Sequence, residues 1–320
     1  MIAVGCCGRA GLSLAEYARR FRAMEVQETF YRILGTDTLA RWRSILGEGF
    51  RLTMKAFQGV SHPTSSPTWR RYRGKPEGKP EGYGLLRDTR EVASSWDHTV
   101  AMARAMRAEY VIVQMPPSFG PTDENIRRIA EFFRPRRGEF GIGLEVRGEG
   151  WSSRSGELRG ALEAAGVTHV TDPLVWPPVH VEGAAYFRLH GRLPRYDYQY
   201  RSEELLRLAE IVKGYRDAYV FFNNLAMAED ASRFMAILEG GDYRLPGPRE
   251  RAKMIASRFR GPMDPRTIVR RFGYLRVGVE GEPTVGELLR DAKGPLSEAE
   301  LEKALSRRSD GISPGRSSRP

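Results

Sequence analysis

The sequence predicts an α/β chain: an eight-stranded TIM (β/α)8 barrel with a small, mainly helical, basic C-terminal extension. Strand-like and helix-like segments alternate through residue 238. Eight such repeats fit within the length of one closed parallel barrel. Most of the strands carry one apolar face and one small, mixed or polar face, as expected where helices cover the outside and side chains fill the inside. An open doubly wound sheet is the alternative fold.

The elements follow in order. Residues 2–5 read as the first strand, and Ser13 caps a helix that runs to about 22. Residues 24–28 form the second strand, with a helix near 37–46. Phe50 to Lys55 is the third strand, followed by a long irregular stretch over 57–87. A helix over 88–107 has Asp88 as its expected cap. Tyr110 to Gln114 is the fourth strand, and Pro121-Thr122-Asp123-Glu124 opens the helix over 122–134. Residues 140–145 and 154–165 are the fifth strand and its helix. Val167 to Thr171 is the sixth strand, with no clear helix after it. Residues 185–190 and 203–214, then 218–222 and 226–238, complete the repeats.

Parity sorts the side chains, because successive residues of a strand face opposite ways. Ala3, Gly5 and Cys7 share a face, as do Glu25 and Gln27, and Thr53 and Lys55. So do Ile112 and Gln114, Gly143 and Glu145, and Arg188 and His190. If these faces point inward, Glu25, Gln27, Lys55, Gln114, Glu145, Arg188 and His190 converge on one mouth, with Arg147, Asp172, Arg192, Asn223 and Asn224 at its rim. Carboxylates, a lysine and a histidine in one cleft shift each other's pKa and serve as acid and base. Arginines there grip phosphate or carboxylate. A salt-bridged structural layer is the competing explanation for the same residues. Glu25, Glu145, Asp172 and His190 are also metal-ligating types, but no ligand motif of fixed spacing is present and no metal is assigned. No Walker loop, nucleotide fingerprint or HExxH occurs.

Composition bounds the rest. The 320 residues carry a net charge of +11, and the last 80 hold 17 Lys and Arg against 11 Asp and Glu. Such a field attracts polyanions. A solvated thermophile surface explains it equally, and the chain has only three Asn and four Gln. Two of the three Asn are the neighbours Asn223 and Asn224. No run of apolar residues is long enough for a membrane span. The N-terminus opens on a strand, so no signal peptide is expected. Cys6 and Cys7 are adjacent, which argues against a disulfide and for a reducing, cytoplasmic setting.

The stretch 57–87 is too long for an idle connection. Its Ser, Thr, Pro, Trp and Tyr residues and its basic residues, Arg70, Arg71 and Arg73 among them, suit a lid or a loop that binds nucleic acid or another anion; a mobile insertion is the alternative. Gly240-Gly241 and Pro246-Gly247-Pro248 mark a boundary, giving a barrel domain over 1–240, a basic extension over 241–305 and a disordered tail over 306–320. A helix over 248–260 and two or three short helices over 265–303, with a small hairpin, are expected in the extension.

Several of these segments, taken together and in order, resemble the YecE-like family, also called domain of unknown function 72. They are Val4-Gly5-Cys6-Cys7-Gly8, Glu25-Val26-Gln27-Glu28-Thr29-Phe30-Tyr31, and Lys55-Ala56-Phe57-Gln58 followed by His62-Pro63. Then come Gln114 to Phe119, Leu144 to Arg147 with Trp151, Asp172-Pro173, Tyr186 to Arg192, and Phe221 to Asn224. Thr68-Trp69-Arg70-Arg71 is similar to the archaeal branch. The resemblance covers residues 2–238 and implies a TIM barrel whose pocket lies at the strand ends; Tyr31 and His62 join the substrate-binding candidates through it. It implies no particular activity. The family's barrel is compared with those of sugar isomerases and of endonuclease IV-type nucleases. The family often has Asn where Gln27 stands, Ser where Glu28 stands and Thr or Ser where Cys6 stands, and Gly148-Glu149-Gly150 is unusual ahead of Trp151.

The expectation is an enzyme acting by acid–base chemistry on a phosphate-bearing substrate, nucleic acid included, in the manner of a nuclease or phosphodiesterase-type hydrolase. Glu25 and Glu145 are the acid/base candidates, Lys55 and Arg188 stabilise negative charge, and His190 transfers a proton or holds substrate. Gln114, Asn223 and Asn224 orient the substrate. The alternatives are a non-catalytic module with an anion pocket that binds DNA or RNA through the 57–87 loop and the extension, and a sugar-phosphate isomerase using a divalent metal.

Overall fold

The computed structural model describes residues 1–191 and 195–306. The described elements run β1 (Ile2–Cys7), α1 (Leu14–Arg20), β2 (Ala23–Val26), α2 (Glu28–Tyr31), α3 (Thr36–Leu46), β3 (Arg51–Lys55) and α4 (Arg90–Met106). They continue with β4 (Tyr110–Gln114), α5 (Asp123–Phe133), β5 (Gly141–Glu145), α6 (Ser155–Ala165), β6 (Thr168–Thr171) and β7 (Ala185–Leu189). After these come α7 (Ser202–Lys213), β8 (Ala218–Phe222), α8 (Met227–Glu239), α9 (Pro248–Ala256), α10 (Pro265–Phe272), α11 (Val285–Leu288) and α12 (Glu298–Leu305). The eight strands are parallel and pair in sequence order, and β8 closes on β1. This is the expected TIM barrel.

The chain packs as two compact units, Met1–His190 with Arg207–Asn223, and Gly191–Leu206 with the chain from Asn224 on. The first unit's last stretch of chain ends at Asn223. The reason is that the C-terminal helices have an apolar core of their own: Ala226, Ala252, Ile255, Met263, Ile268, Val277, Val285 and Leu301 are all buried in one cluster. Short antiparallel bridges, Met263 with Leu296 and Arg276 with Thr284, stand where a hairpin was expected. Residues 307–320 of the expected tail lie outside the described residues.

In the first unit the inward faces match the parity reading. Ala3, Cys7, Ala23, Tyr110, Ile112, Val170, Tyr186, Tyr219 and Phe221 form one buried cluster inside the sheet. Glycines make room for its large members. A Cβ at Gly141 would lie 2.3 Å from the Tyr110 ring, and one at Gly143 would lie 2.5 Å from Val170. At Gly5 a Cβ would lie 2.0 Å from the Ala23 carbonyl oxygen. Close beside it the Tyr17 hydroxyl accepts from Cys6 N at 2.8 Å and donates to Ala23 O at 3.0 Å, tying β1 to β2.

Local chemistry sets the ends of the helices. Ser13 and Glu16 form a capping box at α1, and Thr122 caps α5 by accepting from Asn125 N. Thr89, not Asp88, caps α4: its backbone is extended (φ −137°, ψ 156°) and its hydroxyl accepts from Val92 N at 3.3 Å. No α-helix follows β6. The chain instead folds back along the strand, with His169 N donating to His180 O and the Thr168 hydroxyl donating to Glu182 O.

The 57–87 stretch is built rather than loose. Trp69 is buried and meets Phe57, Tyr72 and Tyr83 at ring distances of 5.8, 5.5 and 5.1 Å. Its indole donates to His62 O at 3.1 Å. Backbone bonds from Gly84, Leu85 and Leu86 to Gly59, Ser61 and Val60 close the base. Gly84 has φ +80°, and a Cβ there would lie 2.3 Å from the His62 carbonyl carbon. Trp69→Ala is therefore expected to cost about 3–5 kcal/mol in urea unfolding. It is also expected to open the Arg70–Arg73 segment to trypsin under native conditions; a variant as resistant as the parent would count against this account of the loop.

Candidate functional site

Parity carries the polar residues of β2, β3, β4, β5 and β7 to the C-terminal end of the barrel interior, and Arg188 joins them. It is fully buried (0%), as is Glu25 (0%). Its Nη2 lies 3.0 Å from Glu25 Oε1. Its Nη1 donates to Gln114 Oε1 at 2.9 Å and to Glu145 Oε2. One guanidinium thus spans the barrel from β2 to β5, both carboxylates ion-paired to it. Glu25 has further support: Tyr186 donates to Oε2 at 2.8 Å, Gln27 donates to Oε1, and the Tyr186 hydroxyl in turn meets Thr53 Oγ1 at 2.6 Å. Burial opposes the charge on Arg188, but Glu145 and Glu25 outweigh it and hold the guanidinium firmly protonated.

Glu145 also meets two groups from the loop side. Arg147 Nε donates to Oε1 at 2.6 Å, and His190 Nε2 lies 3.2 Å from the same oxygen. Burial works to raise the Glu145 carboxyl, yet Arg147, Arg188 and His190 hold it well below the usual carboxylate range. Glu145 is therefore an anion at neutral pH. A carboxyl held so low has no proton to donate near neutrality, whereas its oxygens remain acceptors. The His190 ring is pushed down by burial against the pull of Glu145, so it is neutral near pH 7. Its Nδ1 lies 3.1 Å from Asn223 Nδ2. With Asn223 donating to Nδ1, the ring proton sits on Nε2 and faces Glu145.

Lys55 differs from the arginines. It is 5% exposed, and its Nζ lies 3.8 Å from the centre of the Phe30 ring. Among the described residues its amine has no hydrogen-bond or ion-pair partner. Burial, with Arg188 and Arg147 adding to it and Glu25 and Glu145 opposing, brings its pKa down to about 7. His62 follows the same logic. Burial and the charges of Lys55 and Arg147 lower it to about 3, and its Nδ1 meets Ser61 Oγ at 2.8 Å while its ring packs edge-on against Phe30. Cys7 lies inside the barrel near Glu25 and Arg188, and burial followed by Glu25 pushes its thiol well up, as befits a core residue.

The loops that carry these groups are locked together. Trp151 donates from its indole to Phe119 O at 3.0 Å and stacks on the Phe119 ring, joining the loop after β4 to the loop after β5. Tyr31 packs on Phe30 and lies under the exposed Arg71, whose guanidinium carbon is 3.8 Å from its ring centre. Arg70 and Arg73 are exposed. Asp172 accepts from Leu174 N at 3.0 Å, shaping the turn after β6.

Glu25, Gln27, Gln114, Glu145, Arg147, Arg188, His190 and Asn223 form one linked cluster; Lys55 feels its charges without a bond to it, and His62 sits beside Lys55. Asn224 has a different setting. It belongs to the second unit, is buried, and donates to Tyr198 O and Asp230 Oδ2, both at 2.7 Å. Arg192 lies outside the described residues. Sequence reasoning overlooked Phe30, which underlies Lys55, and the pair Thr53 and Tyr186, which supports Glu25. Both members of that pair share the inward parity of their strands, so the signal was present. Among the described residues, no group of three or more His, Cys, Asp or Glu side chains is placed to hold a metal ion. No helix of the described chain is long and apolar enough to cross a membrane.

The family model described as "Protein of unknown function DUF72" matches residues 7–252. No functionally curated protein matches the sequence significantly. Among solved structures, the DUF72 protein of Enterococcus faecalis V583 aligns at 20% identity and a TM-score of 0.57, over 76% of this chain and 97% of that one. The DUF72 protein of Thermotoga maritima MSB8 aligns at 22% identity and a TM-score of 0.52, over 75% and 99%. A D-psicose 3-epimerase gives a weaker likeness, with 11% identity and a TM-score of 0.47 over 73% and 94%. With the family model spanning more than half its length, the chain belongs to the DUF72 family.

Proposed function

We propose that the barrel is an enzyme using acid–base chemistry on a phosphate-bearing substrate, with Lys55 and His190 as the proton-transferring groups. The observation that carries this reading is the division between fixed and titrating charges. Arg188 pairs with both Glu25 and Glu145, and Glu145 is held as an anion, while Lys55, at about 7, changes charge within reach of physiological pH beside a neutral His190. Arg147, with 19% of its side chain exposed, is the cation placed to meet a phosphate. Asn223 fixes the His190 tautomer, and Glu145 orients the ring and stabilises its protonated form, as the carboxylate partner of a catalytic histidine does.

A hydrolytic, nuclease-type reaction on nucleic acid is the form of this reading favoured by one observation: the 57–87 loop projects Arg70, Arg71 and Arg73 into solvent on an ordered aromatic base. The loop's Thr68-Trp69-Arg70-Arg71 also supports placing the chain in the archaeal-type branch. The adjacent, buried, free cysteines support a reducing, cytoplasmic setting.

The test is a turnover screen over phosphate monoesters, sugar phosphates and oligonucleotides. On any substrate found, His190→Asn should lower kcat by about 10²–10⁴-fold. Arg147→Met should act mainly on KM, and the activity should rise with pH through about 7 as Lys55 loses its proton. Unchanged turnover in the His190 variant would remove the assignment. For oligonucleotides, replacing Arg70, Arg71 and Arg73 with Gln should flatten the plot of log affinity against log salt by about 2–3 units.

Two stability outcomes follow from the same charges. Arg188→Met leaves two buried carboxylates without their cation and should cost about 3–5 kcal/mol in denaturant unfolding at pH 7. Lys55→Met should work the other way. The folded pKa of Lys55 lies below its unfolded value, so the cost of burying the charged amine is fully present below about pH 7 and fades as pH rises toward 10.5. The variant's gain in Tm, on the order of a few degrees, should therefore be larger at pH 6 than at pH 9.

A further inference from the structure

Lys55 is more than nine-tenths buried at the tip of β3, yet among the described residues its amine has no acceptor. The nearby carboxylates are already committed, Glu25 to Arg188, Tyr186 and Gln27, and Glu145 to Arg188, Arg147 and His190. Against its Nζ lies the face of Phe30, at 3.8 Å. The choice of lysine is itself informative. Of 51 cationic residues only seven are lysines, at 55, 75, 79, 213, 253, 293 and 303. Arginine serves as the cation at the other buried sites (Arg43, Arg188, Arg233, Arg251 and Arg276). An arginine at 55 would supply the same positive charge but cannot shed its proton in a protein. A lysine desolvated against an aromatic ring, with cations near, presents a free amine: a nucleophile toward carbonyl carbon.

We propose that Lys55 forms an imine with the aldehyde or ketone group of an open-chain sugar phosphate. The inference rests on the phosphate-bearing substrate class proposed above and adds the reacting group. The Nζ lone pair adds to the carbonyl carbon, the carbonyl oxygen takes a proton, and the nitrogen gives one up, which leaves a carbinolamine. The hydroxyl then departs as water with a second proton, and a protonated imine remains on Lys55. The proton the nitrogen gives up offsets the one the oxygen takes, and the second comes from solvent or from His190 once it has accepted the proton that Lys55 sheds; no oxidant or reductant enters. Arg147 holds the phosphate.

The experiment treats the full-length protein with glyceraldehyde 3-phosphate or ribose 5-phosphate in the presence of cyanoborohydride, which reduces an imine to a stable secondary amine. Unphosphorylated glyceraldehyde is a parallel arm, and an oligonucleotide with an abasic site offers the same aldehyde within a polymer. The adduct is located by peptide mass spectrometry. The expected result is a single adduct on Lys55, formed at least tenfold faster with the phosphorylated sugars than with glyceraldehyde, and faster at pH 8 than at pH 6. Stronger labelling by the abasic oligonucleotide would keep the imine but reassign the carbonyl to nucleic acid, overturning the sugar-phosphate source. Lys55→Arg and Lys55→Met, checked for folding by circular dichroism, should lose the adduct. Labelling spread over the exposed lysines 75, 79 and 213, with Lys55 unmodified, overturns the proposal. That result leaves the acid–base reading standing, since phosphate binding to the Lys55→Met protein and the His190 variant's turnover are scored separately.

Discussion

The first unit is organised around one buried cation. Arg188 faces inward from β7 with no exposure to water, and without compensation its charge would be among the most expensive features of the molecule. Glu25 and Glu145 supply that compensation from strands on either side of the barrel, and Gln114 takes a further donor. The arrangement constrains its neighbours in turn. Once both carboxylates belong to Arg188, neither is at liberty to accept the Lys55 amine, and Glu145 is left as a fixed anion against which His190 is held. The salt-bridged layer and the side chains around Lys55 and His190 are thus tied together. Sequence reasoning had opposed a salt-bridged layer to a functional pocket; here the salt bridge is what leaves Lys55 without a carboxylate partner.

Much of this was legible because strand parity is a strong constraint. Inward faces built from Glu25, Lys55, Gln114, Glu145 and Arg188 follow from alternation alone once a closed parallel barrel is granted. What alternation cannot give is which charges neutralise which. Glu145 is an acid/base candidate from its place in a cleft; the two guanidiniums and the imidazole that converge on it were invisible until the strands had their order and register. The loop over 57–87 was legible only in part. Its composition suited a lid or an anion-binding loop, with a mobile insertion as the alternative, but four aromatics spread over 27 positions, Phe57, Trp69, Tyr72 and Tyr83, pack into one cluster that no periodic pattern reveals. Similarly, Asp88 and Thr89 are both good caps, and a single residue of helix phase decided between them.

The excess of positive charge also needs a different account in the second unit. Arg251 is buried and donates to Arg276 O and Glu229, and Arg276 donates to Gln199 O and Glu282 O. Arg233 reaches Tyr200 O and sits 3.4 Å from Asp230. These guanidiniums are internal cross-links. Their several donors satisfy backbone carbonyls that no helix or strand would otherwise pair. A count of basic residues in this segment therefore overstates the field it presents to a polyanion. The exposed members, among them Arg249, Lys253, Arg266, Arg270 and Arg271, are what remains for surface electrostatics. Asn224 belongs to the same internal framework, and its neighbour Asn223 faces His190. The adjacent pair, conspicuous in a chain with three asparagines, divides between two separate tasks.

The electrostatics of the barrel interior set opposing demands on a single proton. Glu25 and Glu145 balance Arg188 and Arg147, so the sign of the residual charge depends on Lys55. Protonated, Lys55 adds a cation that favours binding of a phosphate; deprotonated, it offers a lone pair but leaves anion binding to Arg147. A group fixed at either extreme would serve one demand at the expense of the other. Burial against Phe30 and the neighbouring arginines bring Lys55 to about 7, where both forms coexist. An incoming phosphate would stabilise the protonated form and raise this value, whereas a carbonyl reacts only with the free amine. The order of events that reconciles the two is binding first, with the amine charged, followed by proton loss to a neutral imidazole. His62, held at about 3 beside Lys55, is too weak a base to take that proton for long. His190 has Glu145 at 3.2 Å to stabilise its protonated form, which partly offsets the effect of burial.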